Sequence, residues 1–72
     1  MTEKTDILNH IYYRTAGGDF ITMYELETEF GMTGHALRPV LEDLKNEQML
    51  VEHPEGFQVS VNGLNYCRSI WD

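Results

Sequence analysis

Residues 22–50, TMYELETEFGMTGHALRPVLEDLKNEQML, decide the fold, because they hold two short helical patterns separated by a tight junction. Thr22 and Glu25 form a capping box, in which each side chain satisfies a backbone N–H at the start of a helix. We expect this helix to run over residues 23–30. It should end at Gly31, since glycine readily takes the left-handed conformation that a helix terminus needs.

The second helical pattern begins after Thr33, the expected N-cap, and extends to about Gln48. Pro39 lies past its first turn, where proline removes a backbone hydrogen bond at a cost of about 3 kcal/mol, so we expect a distorted start or a kink. Two short helices joined by the junction FGMT (residues 30–33) predict a helix-turn-helix. The inward face of the second helix is formed by apolar residues at helical spacing: Leu37, Val40, Leu41 and Leu44.

Another helix precedes this motif. We expect it from about Glu3 to Ala16, where Gly17 and Gly18 end it, and residues 19–21 form a short extended link. Its apolar face consists of Ile7, Leu8, Ile11 and Tyr12.

Beyond Leu50 the apolar period changes from 3.6 to 2, which predicts strands. Every second residue from Phe57 to Val61 is apolar. Between the strands, HPEG (residues 53–56) has proline at its second position and glycine at its fourth, as a β-turn prefers, so we predict a hairpin. A last helix is expected over residues 62–71. It should bury Leu64, Cys67, Ile70 and Trp71.

The composition indicates one small globular domain. The chain has 72 residues, 42% of them hydrophobic, and no apolar run near the roughly 20 residues of a membrane span. Cys67 is the only cysteine, so no intrachain disulfide can form and we expect a cytoplasmic protein. Residues 1–72 therefore predict a single winged helix-turn-helix domain of the α+β class, mostly helical, with a three-helix core, a two-stranded wing and a C-terminal helix.

Residues 36–52 (ALRPVLEDLKNEQMLVE) and 55–66 (EGFQVSVNGLNY) resemble bacterial winged-helix regulators of the MarR and PadR kind. In that pattern the recognition helix carries leucines at i, i+4 and i+7, and the second strand ends in Leu-Thr-x-x-Gly, a place that residues 59–63 occupy here. The resemblance covers about residues 20–68. It implies the winged-helix fold, whose members bind DNA or serve as dimerisation and docking modules. The pattern usually has glycine after the recognition helix, where this chain has Gln48.

With the apolar positions turned inward, the third helix presents a candidate DNA-binding face. Arg38 could bind guanine, Asn46 adenine and Glu42 cytosine. Arg38, Lys45 and Lys4 are the candidate phosphate contacts. This face predicts double-stranded DNA as the partner and a dimeric prokaryotic or phage transcriptional regulator as the leading function. A solvated helix face of mixed charge explains the same residues equally well. The candidate residues are His35, Arg38, Glu42, Lys45 and Asn46.

The charge balance argues for a different function. Twelve acidic residues against five basic ones give a net charge of −7, whereas DNA-binding proteins usually carry a basic stripe. The wing carries Glu52 and Glu55, where Lys or Arg usually reach phosphates. The alternative is an acidic protein-interaction module that docks on a basic protein or mimics DNA. Its docking face would comprise Glu25, Glu27 and Glu29.

Aromatic residues of the terminal helices predict a homodimer. Tyr13 and Tyr66 lie off the apolar stripes of their helices, Trp71 is the penultimate residue, and aromatic side chains are enriched at protein interfaces. In related winged-helix proteins the terminal helices commonly form the dimer. The same three side chains could instead lean over the small core.

The sequence carries no recognisable pattern for catalysis or for a cofactor. The three histidines and Cys67 lack the spacing of a metal site, and Gly17-Gly18 is a helix stop rather than a phosphate-binding loop. A domain of this size also leaves little room for a buried pocket of about 300 Å³. We therefore expect a non-enzymatic protein with no cofactor, no metal and no membrane association.

Overall fold

A computed structural model describes residues 3–71. Within them the strands β1 and β2 are antiparallel, and Ile21 adds an isolated bridge to Phe57 of β2. The predicted class, α+β and mostly helical, is confirmed, and the order of elements is that of a winged helix. The elements are α1 (Glu3–Thr15), α2 (Met23–Phe30), α3 (Gly34–Asn46), β1 (Leu50–His53), β2 (Gly56–Val59) and α4 (Val61–Trp71).

Side-chain caps set the boundaries of the helix-turn-helix, as the sequence predicts. The Thr22 hydroxyl accepts from the Glu25 N–H at 3.1 Å, and the Glu25 carboxylate accepts from the Thr22 N–H at 3.0 Å. Gly31 ends α2 in the left-handed region with φ 63°. The Thr33 hydroxyl then accepts from the Ala36 N–H at 3.1 Å and begins α3. The short polar and glycine residues of this segment therefore fix where α2 stops and α3 starts.

The end of α3 is a Schellman motif, which has a left-handed residue just beyond the helix. The Met49 N–H donates to the Leu44 carbonyl and the Gln48 N–H donates to the Lys45 carbonyl, both at 2.9 Å. Gln48 has φ 63°, a conformation that glycine adopts more readily than glutamine. The helix thus ends at Asn46, and Gln48 occupies the position where the resemblance leads us to expect glycine.

The core lies where α1 and α3 pack against each other and against the hairpin. Buried Thr15 links α1 to β2, because its hydroxyl donates to the Ile11 carbonyl at 2.7 Å and accepts from the Val59 N–H at 2.9 Å. This bond satisfies a strand N–H that would otherwise be buried without a partner. The buried apolar residues are Ile7, Leu8, Ile11, Tyr12, Ile21, Leu26, Leu37, Leu41, Leu44, Leu50, Phe57, Val59 and Cys67.

The structure corrects two expectations near the C-terminus. Val61 begins α4 instead of extending the strand and is 78% exposed, because the Ser60 hydroxyl caps the helix by accepting from the Gly63 N–H at 2.9 Å. Ile70 is 51% exposed instead of buried. The reason is that α4 turns its Gly63 and Cys67 face to the core, so close that a side chain on Gly63 would overlap the Met49 carbonyl.

Candidate functional site

The predicted DNA-contact residues of α3 lie on its solvent side. His35 and Asn46 are exposed, whereas Arg38, Glu42 and Lys45 are partly exposed. The helical spacing therefore placed all five on the surface, as expected. The three charged residues, Arg38, Glu42 and Lys45, do not point freely into solvent. They form ion pairs with one another and with the wing.

Arg38, Lys45, Glu42 and Glu52 form a closed ring of alternating charge, which we call the α3–wing ion-pair ring. Arg38 Nη1 lies 2.9 Å from Glu52 Oε1 and 3.3 Å from Glu42 Oε2. Lys45 Nζ lies 2.9 Å from Glu52 Oε1 and 3.1 Å from Glu42 Oε2. Each cation thus contacts both carboxylates. The ring has no net charge, and it ties α3 to strand β1.

The pKa directions within the ring follow from these contacts. Hydrogen bonds from Lys45 and then from Arg38 hold the pKa of Glu52 below its usual value, and the same two donors lower the pKa of Glu42. The Glu52 carboxylate is in turn the main cause that raises the pKa of Arg38 and of Lys45. All four groups therefore stay ionised at neutral pH. Because their side chains are about a third exposed or more, the ring adds little to the free energy of unfolding.

Arg38 has a further contact on the side that faces the hairpin. Its guanidinium lies over the ring of buried Phe57, 5.5 Å from the ring centroid, which is cation–π geometry. Arg38 is therefore held by two carboxylates and one aromatic face. To reach a guanine edge it would have to leave Glu42, Glu52 and Phe57 together.

The third predicted phosphate contact, Lys4, is also paired. Lys4 Nζ lies 2.6 Å from Glu47 Oε2, which links α1 to the residue just beyond α3 and raises the pKa of Lys4. Arg14 likewise lies 3.0 Å from Glu25 Oε2. Every side chain that the sequence suggested for phosphate contact thus already has a carboxylate partner.

The charge is unevenly distributed along the fold. Residues 23–59, which form α2, α3 and the hairpin, contain two basic and eight acidic residues. Residues 60–71, almost all of them in α4, contain Arg68 and no acidic residue. The helix-turn-helix and wing together therefore carry nearly all of the net negative charge of the chain. That is the opposite of the basic surface that DNA-binding proteins usually carry.

The three acids predicted as a docking face on α2 have different roles. The Glu25 carboxylate accepts a hydrogen bond in the capping box and forms an ion pair with Arg14. The hydrogen bond from the Thr22 N–H is the main cause that lowers the pKa of Glu25. Glu27 accepts from the Gly34 N–H at 2.6 Å, so it satisfies a free donor at the start of α3. No local sequence pattern predicts that role, because Glu27 and Gly34 lie on different helices. Glu29 is exposed, and no ion pair or hydrogen bond of its side chain is found within residues 3–71.

The residues predicted as a dimer interface are unequally accessible. Tyr13 is 64% and Tyr66 45% exposed. Trp71 is partly buried against the core, with its ring centroid 6.5 Å from that of Tyr12. Trp71 thus leans over the core, the second of the two roles that the sequence left open. The homodimer stays a prediction.

A recess of about 440 Å³, open to solvent, lies between α1, α3 and α4. Its walls are Lys4, Thr5, Leu8, Leu44, Glu47, Met49, Tyr66 and Trp71.

Within residues 3–71 no three side chains are grouped as metal ligands would be. None of the helices in that range has the length and hydrophobicity needed to cross a membrane. No family model, curated protein or solved structure matches the chain.

Two residues of the candidate site were not predicted from the sequence to belong to it. Glu52 was noted only as a wing acid, and Phe57 only as a core residue. The i, i+4 spacing of Arg38 and Glu42 and the i, i+3 spacing of Glu42 and Lys45 are sequence signals for ion pairs on one helix. The contact with Glu52 has no such signal, because it depends on how the wing packs against α3.

Proposed function

We propose that this chain is a protein-interaction winged helix whose helix-turn-helix and wing side binds a basic protein partner. The observation that carries the proposal is the α3–wing ion-pair ring, in which Glu42 and Glu52 hold both cations of α3. The six other acidic residues of residues 23–59 support the same reading. A basic partner meets this surface without opening the ring.

DNA binding through α3 would be costly for the same reason. If Arg38 and Lys45 moved to phosphates, Glu42 and Glu52 would remain beside the same phosphates. Two unit charges about 6 Å apart repel by roughly 0.7 kcal/mol in bulk water, and several-fold more at the lower effective dielectric of a protein surface. The two acids therefore offset much of what the two cations would contribute.

A dimeric DNA-binding regulator is the competing proposal. It is favoured by the order of the elements and by the solvent-exposed position of His35 and Asn46 on α3. A dimer would double the number of cations that face DNA, but it would double the number of acids as well. For that reason we prefer the protein-interaction function.

A charge-reversal experiment tests the proposal with a matched control. The first variant carries Glu29→Lys and Glu55→Lys, two exposed acids of α2 and the wing turn. The control carries Glu3→Lys and Asp6→Lys, two exposed acids of α1, and has the same net charge. Cytochrome c, a folded basic protein, serves as the probe in a titration at roughly 0.05 M salt, where screening is weak.

We expect the first variant to lose most of its affinity for cytochrome c and the control to keep most of it. Equal losses in the two variants would mean that only net charge matters, and the proposed surface would be wrong. Mixed-sequence duplex DNA is titrated in parallel with the wild type. Saturable binding of the duplex at this salt would favour the regulator instead.

A further inference from the structure

The turn of the hairpin is fixed against the link that precedes α2. The Ile21 N–H donates to the Phe57 carbonyl at 2.9 Å, and the Phe57 N–H donates to the Ile21 carbonyl at 2.7 Å. Gly56, with φ 140°, lies so close that a Cβ there would be 2.5 Å from the Ile21 carbonyl oxygen and 3.4 Å from Thr22 Cα. Residues 19–24 and 53–56 therefore lie together in one surface region.

Aromatic side chains are exposed around this junction. The rings of Phe20 and His53 meet edge to face with centroids 5.2 Å apart, and Phe20 is 37% exposed. Tyr24, in the first turn of α2 and two residues after Thr22, is 75% exposed. Neither Phe20 nor Tyr24 is needed to fill the core. Aromatic residues are enriched at protein interfaces and among the residues that contribute most to binding.

The acidic residues around these aromatic side chains indicate the charge of the partner. The two segments that meet here, residues 19–24 and 53–56, contain two acidic residues and no lysine or arginine. Asp19 precedes Phe20, and Glu55 lies in the hairpin turn; both are exposed. Nucleic acid and a second copy of this acidic chain would be repelled. A positively charged segment would be attracted.

We propose that this surface, the wing-turn patch of Phe20, Tyr24, His53, Asp19 and Glu55, binds an arginine-bearing segment of a basic protein. The inference rests on the proposed function and names the chemistry of its partner. A guanidinium can stack on an aromatic face while it donates to a carboxylate, whereas an ammonium has no planar face to stack.

The chain already contains one example of this chemistry. Arg38 lies over the ring of Phe57 while it donates to Glu52, so an aromatic ring and a carboxylate of the hairpin together hold a guanidinium. The wing-turn patch offers the same two kinds of group on an exposed part of the hairpin and its neighbouring link. No arginine of the two segments that form the patch is present to occupy it.

The test compares two peptides of equal charge, octa-arginine and octa-lysine, by titration and by amide chemical shifts. We expect octa-arginine to bind more tightly, with the largest shifts at residues 19–24 and 53–56. Tyr24→Ala should weaken octa-arginine about two- to fivefold, the range for one cation–π contact at an exposed site. It should weaken octa-lysine less, because an ammonium is attracted to the ring but cannot stack on it. Phe20→Leu keeps the apolar bulk and should act in the same direction.

Tyr13→Ala is the matched control, because Tyr13 is also an exposed tyrosine, 64% accessible, but lies on α1. It should not change the binding of either peptide. Equal binding of the two peptides, or shifts centred on α3, would overturn the wing-turn patch while leaving a basic partner for the acidic side. Absence of binding by both peptides would count against the patch and the proposed function together.

Discussion

Removing the two acids of the α3–wing ion-pair ring should convert this protein into a better DNA binder. In the double variant Glu42→Gln, Glu52→Gln, the amides keep the size of the side chains and remove two negative charges. Arg38 and Lys45 then lose their carboxylate partners, which are 2.9–3.3 Å away in the wild type. They become available for phosphates on the surface that a recognition helix normally presents.

The expected magnitude follows from the number of cations released. Each neutralised phosphate contributes a slope of about 0.9 to the logarithmic dependence of affinity on salt, so two released cations should steepen that slope by about 1.8. Between roughly 0.05 and 0.2 M salt, the affinity of the variant should therefore fall about tenfold more than that of the wild type. At the lower salt the variant should bind duplex DNA at least about tenfold more tightly, since two repulsions of roughly 0.7 kcal/mol are removed.

Fluorescence anisotropy with a mixed-sequence duplex at several salt concentrations measures both quantities. The control variant, Glu3→Gln with Asp6→Asn, changes the net charge equally but leaves the ring intact. If the control gains as much affinity as the ring variant, or if neither gains, the ring does not mask a cationic surface and the reasoning fails.

Three further predictions concern stability and can be checked by urea unfolding. Gln48→Gly should stabilise the protein by about 0.5–1 kcal/mol, because Gln48 has φ 63°; an unchanged midpoint would contradict this. Thr15→Val should destabilise by about 1–3 kcal/mol, because the Val59 N–H loses its acceptor, whereas the exposed helical threonine control Thr28→Val should change little. Gly63→Ala should cost about 1–3 kcal/mol through overlap with the neighbouring carbonyl, whereas Gly17→Ala, with open space around it, should be tolerated; equal effects would refute the close approach.

Local signals explain why much of the fold could be predicted from the sequence. The capping box at Thr22, the left-handed Gly31 and the N-cap Thr33 act within a few residues, so their sequence pattern is nearly sufficient. The hairpin turn at residues 53–56 is equally local. These features fix the order of the elements and hence the winged-helix arrangement.

The predictions that were wrong concern features that depend on long-range contacts or on backbone packing. The alternation that suggested a buried strand as far as Val61 was overridden by Ser60, which caps α4. Ile70 is exposed because the small residue Gly63 lets α4 approach Met49 along a different face. A hydrophobic pattern gives the spacing of a face, but it does not reveal that a glycine can be the point of closest contact.

The candidate site was predicted only in part, for a related reason. Helical spacing placed Arg38 and Lys45 on the surface, but it could not show that Glu52 of the next strand would meet both of them. The net charge of −7 argued against DNA binding, but it did not show which carboxylates pair with the cations of α3. Ion pairs between elements depend on the packing of the wing against α3, which no local pattern encodes.

The central claim, that carboxylates of the chain itself hold the cations of α3, is tested most directly by NMR titration of Glu42 and Glu52. Lys45 and Arg38 lower the pKa of both carboxyls, so the stabilisation from the ring is present above the ordinary glutamate pKa and is lost as the pH falls through the lowered values. We predict that both carboxyls titrate below the range of glutamate in an unstructured peptide. Replacing Arg38 and Lys45 by methionine should return both pKa values toward that range. Titration of both carboxyls within the ordinary range in the wild type would contradict the account, because the two cations would then be free to bind DNA.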